Sequence, residues 1–183
     1  MRWPTRACRS SARAVHEPGA VSPADRWERA AARLVLLDPD DRLFLILGGD
    51  PGRPELAPWW FTAGGGLEPG ESVAEAALRE LREETGIAGV ELGPLVWRRR
   101  VEFPFDGRRI LADESYFLVR APSTAIDISG WDDLERRIQV AWRWWTLDEL
   151  RSTRDPIRPP GLVALLPDLL SGRLPARPLE LTE

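Results

Sequence analysis

The sequence predicts a mixed α/β domain, and three observations carry that reading. Short apolar runs bounded by Gly, Pro and Asp read as strands on both sides of one strongly marked helix. That helix has a start and a stop signal of its own. A second, largely apolar helical pattern lies near the C-terminus. The pattern of elements alone says α/β or α+β, and 183 residues suit one domain with extensions.

Residues 1–24 are Arg-rich, lack a sustained period and lack the apolar core of a secretory signal, so they read as a disordered arm outside the domain. Ala31 to Asp38 and Arg42 to Gly48 read as two strands of a hairpin joined at Pro39, Asp40 and Asp41. A Pro/Gly loop, Asp50 to Pro58, leads to a short strand, Trp59 to Thr62. Beyond the marked helix, Val90 to Leu92 and Leu95 to Phe103 look extended. Asp106-Gly107 then signals a hairpin returning through Ile110 to Val119. A connector, Ala121 to Gly130, precedes a short helix at Trp131 to Arg137, a strand at Val140 to Thr146 and a helical turn at Leu147 to Arg151. Gly161 to Ser171 suits an amphipathic helix bent or broken near Pro167. The domain is therefore expected over residues 25–172, with 173–183 as a Pro-containing tail.

The marked helix carries the chemistry. Ser72 with Glu75 forms a capping box, and Gly86 stands where a helix ends in a left-handed residue. At about 100° per residue, Ala74, Ala77, Leu78 and Leu81 share one face; Glu80, Glu83 and Glu84 fall in a neighbouring arc. Arg79 is spaced to pair with Glu83. A solvated face is the plainer account of such a charge run. Clustered carboxylates repel, however, and a divalent cation with oxygen ligands removes that cost. Just upstream, Gly64, Gly65 and Gly66 let the backbone approach a phosphate closely. Together these features suggest a metal bridging protein to phosphate.

The stretch Gly65 to Ile87, GGLEPGESVAEAALRELREETGI, resembles the Nudix box, in which a Gly, a Glu and the run R-E-U-x-E-E-x-G-U (U aliphatic) stand at fixed spacing. It matches at Gly65, Glu71, Arg79, Glu80, Leu81, Glu83, Glu84, Gly86 and Ile87. One departure lies upstream, where Ala63 stands in place of the Pro that many members carry before the paired glycines. The resemblance implies an α/β/α sandwich with a mixed, curved sheet. It also implies a Mg²⁺-dependent hydrolase, with Mn²⁺ as a substitute, that cleaves a nucleoside diphosphate linked to another moiety. Glu80, Glu83 and Glu84 would be the metal ligands, one of them serving as general base. Arg79 would orient them, and Glu71 would hold the loop or reach the metal through water. Relatives also carry an acid in a strand beyond the box, for which Glu114 is the candidate, beside Ala112 and Tyr116 on one strand face. Another acid comes from a later loop, for which Glu135 is the candidate. A surface carboxylate is the competing account of both.

Substrate contacts are expected from the glycine loop and from Trp59 and Trp60, whose rings suit base stacking, although alternation on a strand turns one of the two into the core. Arg98, Arg99 and Arg100 either bind phosphate or alternate in exposure along a strand. The net charge of −4, carried with no lysine and 25 arginines, argues against a stable nucleic-acid partner. His16 and Cys8 are the only His and Cys, both in the arm, so histidine-dependent nucleophilic catalysis and Cys-based metal sites are excluded from the domain. No apolar run approaches the roughly 18 residues of a membrane span, and a cytoplasmic protein is expected. Two further readings stay open. One is a Nudix-fold sensor that binds a nucleotide without cleaving it; the other, opposed by the lack of a core Cys, is an isoprenoid diphosphate isomerase. A homodimer is possible.

Overall fold

A computed structural model describes residues 26–182; the N-terminal arm, with Cys8 and His16, lies outside them. In chain order the elements are β1 (Arg26–Leu37), β2 (Leu43–Gly48), β3 (Trp59–Phe61), α1 (Val73–Thr85), β4 (Leu95–Phe105), β5 (Arg108–Arg120), α2 (Asp133–Ile138), β6 (Gln139–Trp145), α3 (Leu147–Ser152), β7 (Ile157–Arg158), α4 (Leu162–Leu170) and β8 (Leu179–Glu180). The strands form one mixed sheet in the order β7-β3-β2-β1-β5-β4-β8, with β6 on the other edge of β2.

The runs RLVLL and LFLIL lack polar alternation because both faces of the sheet are covered. Val35, Leu37, Leu43 and Leu45 turn to one face and pack with Leu150 of α3 and Leu162, Leu166 and Leu169 of α4. Ala32, Leu34, Leu36, Phe44 and Ile46 turn to the other and pack with Ala76, Ala77 and Leu81 of α1. This is the expected sandwich, with the helices divided between the two faces. Helix α4 continues through Pro167 without a break.

The β1–β2 hairpin closes only at its base. Its strand register is limited to Leu37↔Leu43, beside a turn in which Asp38 Oδ1 accepts from the Asp40 and Arg42 amides. Above that point the two strands part, and the glycine loop fills the gap. Ala32 N donates to Gly65 O and Leu34 N to Ala63 O, while Leu67 N donates to Ala30 O. The other edge of β1 pairs in parallel with β5 over twelve residues, Arg26↔Arg109 to Leu37↔Arg120. Strand β1 thus begins well before the expected Ala31. The polar segment RWERA is held extended by its long-range partner, overriding its own weak strand preference.

The Asp106-Gly107 turn forms as expected, both residues having positive φ (48° and 72°). Residues 90–92 form no strand. The last residues are not a free tail: β8 adds to β4 in parallel, Leu181 N donates to Arg98 O, and Leu181 packs on the α4 side of the core.

Candidate active site

Helix α1 begins and ends as its sequence dictates, with a complete Ser72/Glu75 capping box and Gly86 left-handed at φ 72°. Its buried face differs from the expected one. Ala74 is exposed and Leu78 is 41% exposed, while the buried stripe is Ala76, Ala77, Glu80, Leu81, Glu84 and Thr85. Two carboxylates one turn apart are thus inside, not on a solvated face. The cause is the glycine loop wedged beside β1, which covers this arc. Gly64 N donates to Glu84 Oε2 at 2.5 Å. Gly64 itself has φ +125°, and a Cβ there would lie 2.2 Å from Ala32 O, so only glycine fits. A Cβ on Gly65 would lie 2.3 Å from Glu80 Oε1.

Arg79 ties the loop to the helix. Its Nε and Nη2 donate to the two oxygens of Glu71 (2.9 and 3.0 Å), and Nη2 also donates to Gly66 O (2.9 Å). Its Nη1 donates to Glu80 Oε1 (2.8 Å) and Glu83 Oε2 (2.9 Å). Glu71 accordingly ionises more readily than usual, chiefly through its bonds from Arg79.

The segment before α2 docks on the C-terminal end of α1. Trp131 Nε1 donates to Glu84 O at 3.1 Å, and a Cβ on Gly130 would lie 2.4 Å from Glu83 O. Asp132 caps α2, and Glu135 Oε2 accepts from the Asp132 amide at 2.7 Å. This brings Glu135 to α1: one carboxylate oxygen from each of Glu80, Glu84 and Glu135 lies within 4.8 Å of the others. Glu83, which the sequence pattern groups with Glu80 and Glu84, stands outside this cluster, turned to Arg79.

The three clustered carboxyls are harder to ionise than usual. Burial lifts Glu84 to about 8, helped by the charges of Glu80 and Glu135, despite the Gly64 amide. Burial also raises Glu80, reinforced by Glu83 and Glu135 and opposed by Arg79. Glu135 is raised by burial and by the charges of Asp132 and Glu83, against the Asp132 amide. Two buried carboxylates and a half-buried one that repel one another and bind protons are a ligand set suited to a hard divalent cation.

Glu114 has a different setting. It does share a face with Ala112 and Tyr116, but it is surrounded by donors: Arg33 Nε (3.1 Å), Tyr116 OH (2.6 Å) and Arg99 Nη1 (3.4 Å). Burial opposes its ionisation, yet these donors outweigh burial and hold its pKa below the usual carboxylate range. Through Arg33, whose Nη1 donates to Gly64 O at 2.6 Å, Glu114 braces the peptide whose neighbouring amide holds Glu84.

Trp60 is buried, stacked edge-on against Trp145 (4.9 Å between centroids), with its Nε1 donating to Asp155 Oδ2; Trp59 is half-buried. Arg98, Arg99 and Arg100 alternate exposed, buried, exposed. Sequence reasoning missed Arg33 and Gln139. The latter, the chain's single glutamine, is buried and donates Nε2 to Glu84 Oε1 at 2.9 Å. Its one signal is a lone amide at the start of a Trp-rich strand, and its partner lies 55 residues away.

A family model described as "NUDIX domain" matches residues 27–166. The chain is 31% identical over 143 residues to the RNA pyrophosphohydrolase of Sphingopyxis alaskensis, covering 71% of this chain and 85% of that one. It is 33% identical over 129 residues to the nucleoside triphosphatase NudI of Salmonella arizonae, covering 68% and 92%. Among solved structures, the MutT NUDIX hydrolase from Burkholderia pseudomallei superposes with a TM-score of 0.54 at 26% identity, covering 75% of this chain and 95% of that one. Among the described residues no helix is long and apolar enough to cross a membrane.

Proposed function

This chain belongs to the NUDIX family of hydrolases, and on that premise we propose that it hydrolyses a pyrophosphate bond in a nucleoside diphosphate linked to another moiety, with a divalent cation held by Glu80, Glu84 and Glu135. The observation that carries this reading is the convergence of their oxygens within 4.8 Å, with all three carboxyls raised in pKa. Glu83, one turn from Glu80 on the helix and held by Arg79 at 2.9 Å, is the further proposed ligand. Mg²⁺ or Mn²⁺ bound there would offset the charge of the diphosphate and lower the pKa of a water.

The residues divide the remaining work. Arg79 fixes Glu80 and Glu83 and anchors the loop through Glu71 and Gly66. Gly64 N–H and Gln139 Nε2 hold the two oxygens of Glu84 in place. One carboxylate of the coupled set Glu80, Glu84 and Glu135 accepts a proton from the attacking water. Glu114 serves as a positioning residue, because its oxygens are occupied by Arg33, Tyr116 and Arg99. The Gly65–Gly66 backbone and half-buried Trp59 are the proposed substrate contacts; the Trp60 ring is taken by the core. The catalytic unit spans residues 25–172, with β8 completing its sheet.

The names of the two relatives point to two substrate classes, RNA and nucleoside triphosphates. A nucleotide sugar such as ADP-ribose is a third. A Mg²⁺-dependent hydrolysis screen over these three classes, with products separated by chromatography, tests the proposal. Glu84→Gln is expected to fold and to lose at least about a hundredfold in turnover. Full activity in that variant would sink the assignment. Nucleotide binding without cleavage in the wild type would support the sensor reading instead.

A further inference from the structure

Four arginines lie near the carboxylate cluster or near Glu114, and three of them have protein acceptors. Arg79 serves Glu71, Glu80, Glu83 and Gly66. Arg33 serves Glu114 and Gly64, and Arg99 donates to Glu114. The fourth, Arg29, lies four residues before Arg33 on β1 and hence on the same strand face, opposite Ala112 of β5. Its Nε is shut off from solvent and has no hydrogen-bond partner among the described residues. A charged donor in that state carries a desolvation cost that an acceptor would remove.

Its surroundings say which kind of acceptor. The side chain lies along the glycine loop, with Cδ and Nη1 3.9 Å from where a Gly66 Cβ would stand, and the residue as a whole is only half-buried. Burial and the charge of Arg33 lower its pKa from the usual arginine value, opposed only in part by the nearby charges of Glu114 and Glu80. Yet the near carboxylates are engaged: Glu114 by Arg33, Arg99 and Tyr116, and Glu80 Oε1 by Arg79. Among the described residues Arg29 Nε is thus left without an acceptor, beside the proposed cation site.

We propose that Arg29 is a substrate-binding residue that donates through its guanidinium fork to a phosphate oxygen of the diphosphate group. The proposal rests on the hydrolase reading above and adds the cationic contact that the carboxylate cluster lacks. A planar fork fits two oxygens of a phosphate, whereas an ammonium offers a point charge. Lysine is therefore an incomplete substitute.

Binding of imidodiphosphate, a non-hydrolysable diphosphate, in the presence of Mg²⁺ tests this by calorimetry without turnover. Arg29→Ala is expected to weaken that affinity at least about tenfold, and Arg29→Lys to recover only part of the loss. Mn²⁺ affinity measured without diphosphate is expected to stay within about twofold of wild type. Thermal unfolding verifies that each variant folds, and Arg29→Gln replaces Arg29→Ala if the latter does not. Wild-type diphosphate affinity in a folded variant would overturn the proposal, leaving Arg29 bonded to a buried water. An equal loss of Mn²⁺ and diphosphate affinity would also overturn it, because the residue would then act through the carboxylates. The two readings separate cleanly. Arg29-dependent binding by a wild type that cleaves nothing in the screen sinks the hydrolase reading alone. Active wild type with undiminished binding in Arg29→Ala sinks this proposal alone.

Discussion

Glu84 on α1 and Glu114 on β5 are the same side chain at nearly the same depth, 2% and 5% exposed, and they titrate in opposite directions. Glu84 receives two neutral donors, Gly64 N–H and Gln139 Nε2, and faces two other carboxylates. Glu114 receives two guanidinium donors and a phenol. Burial penalises both anions, so the neighbours decide the sign. A carboxylate completed by arginines has no remaining use for a cation. One left among other carboxylates has its charge uncompensated and is suited to a cation from solution. The comparison separates carboxylates that brace the cluster from carboxylates with the setting that the proposed chemistry requires.

Removing one member from each region should break the comparison differently. Glu114→Ala leaves Arg33 and Arg99 facing each other around a buried vacancy, a cost of about 3–5 kcal/mol. It also loosens the Arg33 clamp on Gly64, so turnover should fall along with stability. Urea denaturation and steady-state kinetics on one preparation would show both losses. A variant as stable as wild type would mean that water replaces the carboxylate and that Glu114 braces nothing.

Glu84 sharpens the contrast through pH. Its carboxyl ionises near 8 when folded and near 4.5 in an ordinary setting, so the unfolded chain releases its proton first. Ionisation then disfavours the folded state across that window, and the metal-free protein should lose stability as pH rises. Between pH 6 and 8.5 this one group accounts for about 2–3 kcal/mol. Glu114, lowered instead, adds no slope in that range; its contribution disappears only in acid. Thermal unfolding in a chelator at several pH values would show the decline, and Glu84→Gln should flatten it. Equal slopes in the two proteins would remove the uncompensated charge from Glu84.

The same contrast marks how far the sequence could be read. Helix α1, its caps and its Glu/Arg spacing are local, and residues within two turns of each other report their own geometry. The apolar runs of β1 and β2 marked the two strands, while the sandwich was implied by the resemblance carried on α1 and its glycine loop. Three features were not legible. RWERA has no strand pattern and is extended only because β5 lies alongside it. The glycine loop takes the edge of β1 that a simple hairpin would have given to β2. That loop also buries Glu80 and Glu84, and this shifts the buried face toward the glutamates and away from Ala74 and Leu78, while Ala77 and Leu81 stay buried. Arg33 and Gln139 owe their roles to strand order: each reaches a partner more than thirty residues away, Gly64 and Glu84 respectively. Side-chain type gives no warning of such pairings.

Tyr116 tests the finer grain of the supporting side. Its hydroxyl donates to Glu114 Oε2 at 2.6 Å, the shortest of that carboxylate's bonds, yet it is the neutral member of the trio. If guanidinium charge compensates Glu114, Tyr116→Phe removes one hydrogen bond and leaves the ion pairs intact. The expected cost is about 1–2 kcal/mol, with turnover within about twofold of wild type. A loss equal to that of Glu114→Ala would transfer the leading role to the phenol. The brace under Gly64 would then depend on a neutral hydrogen bond, and the division between arginine-completed and cation-seeking carboxylates would not hold.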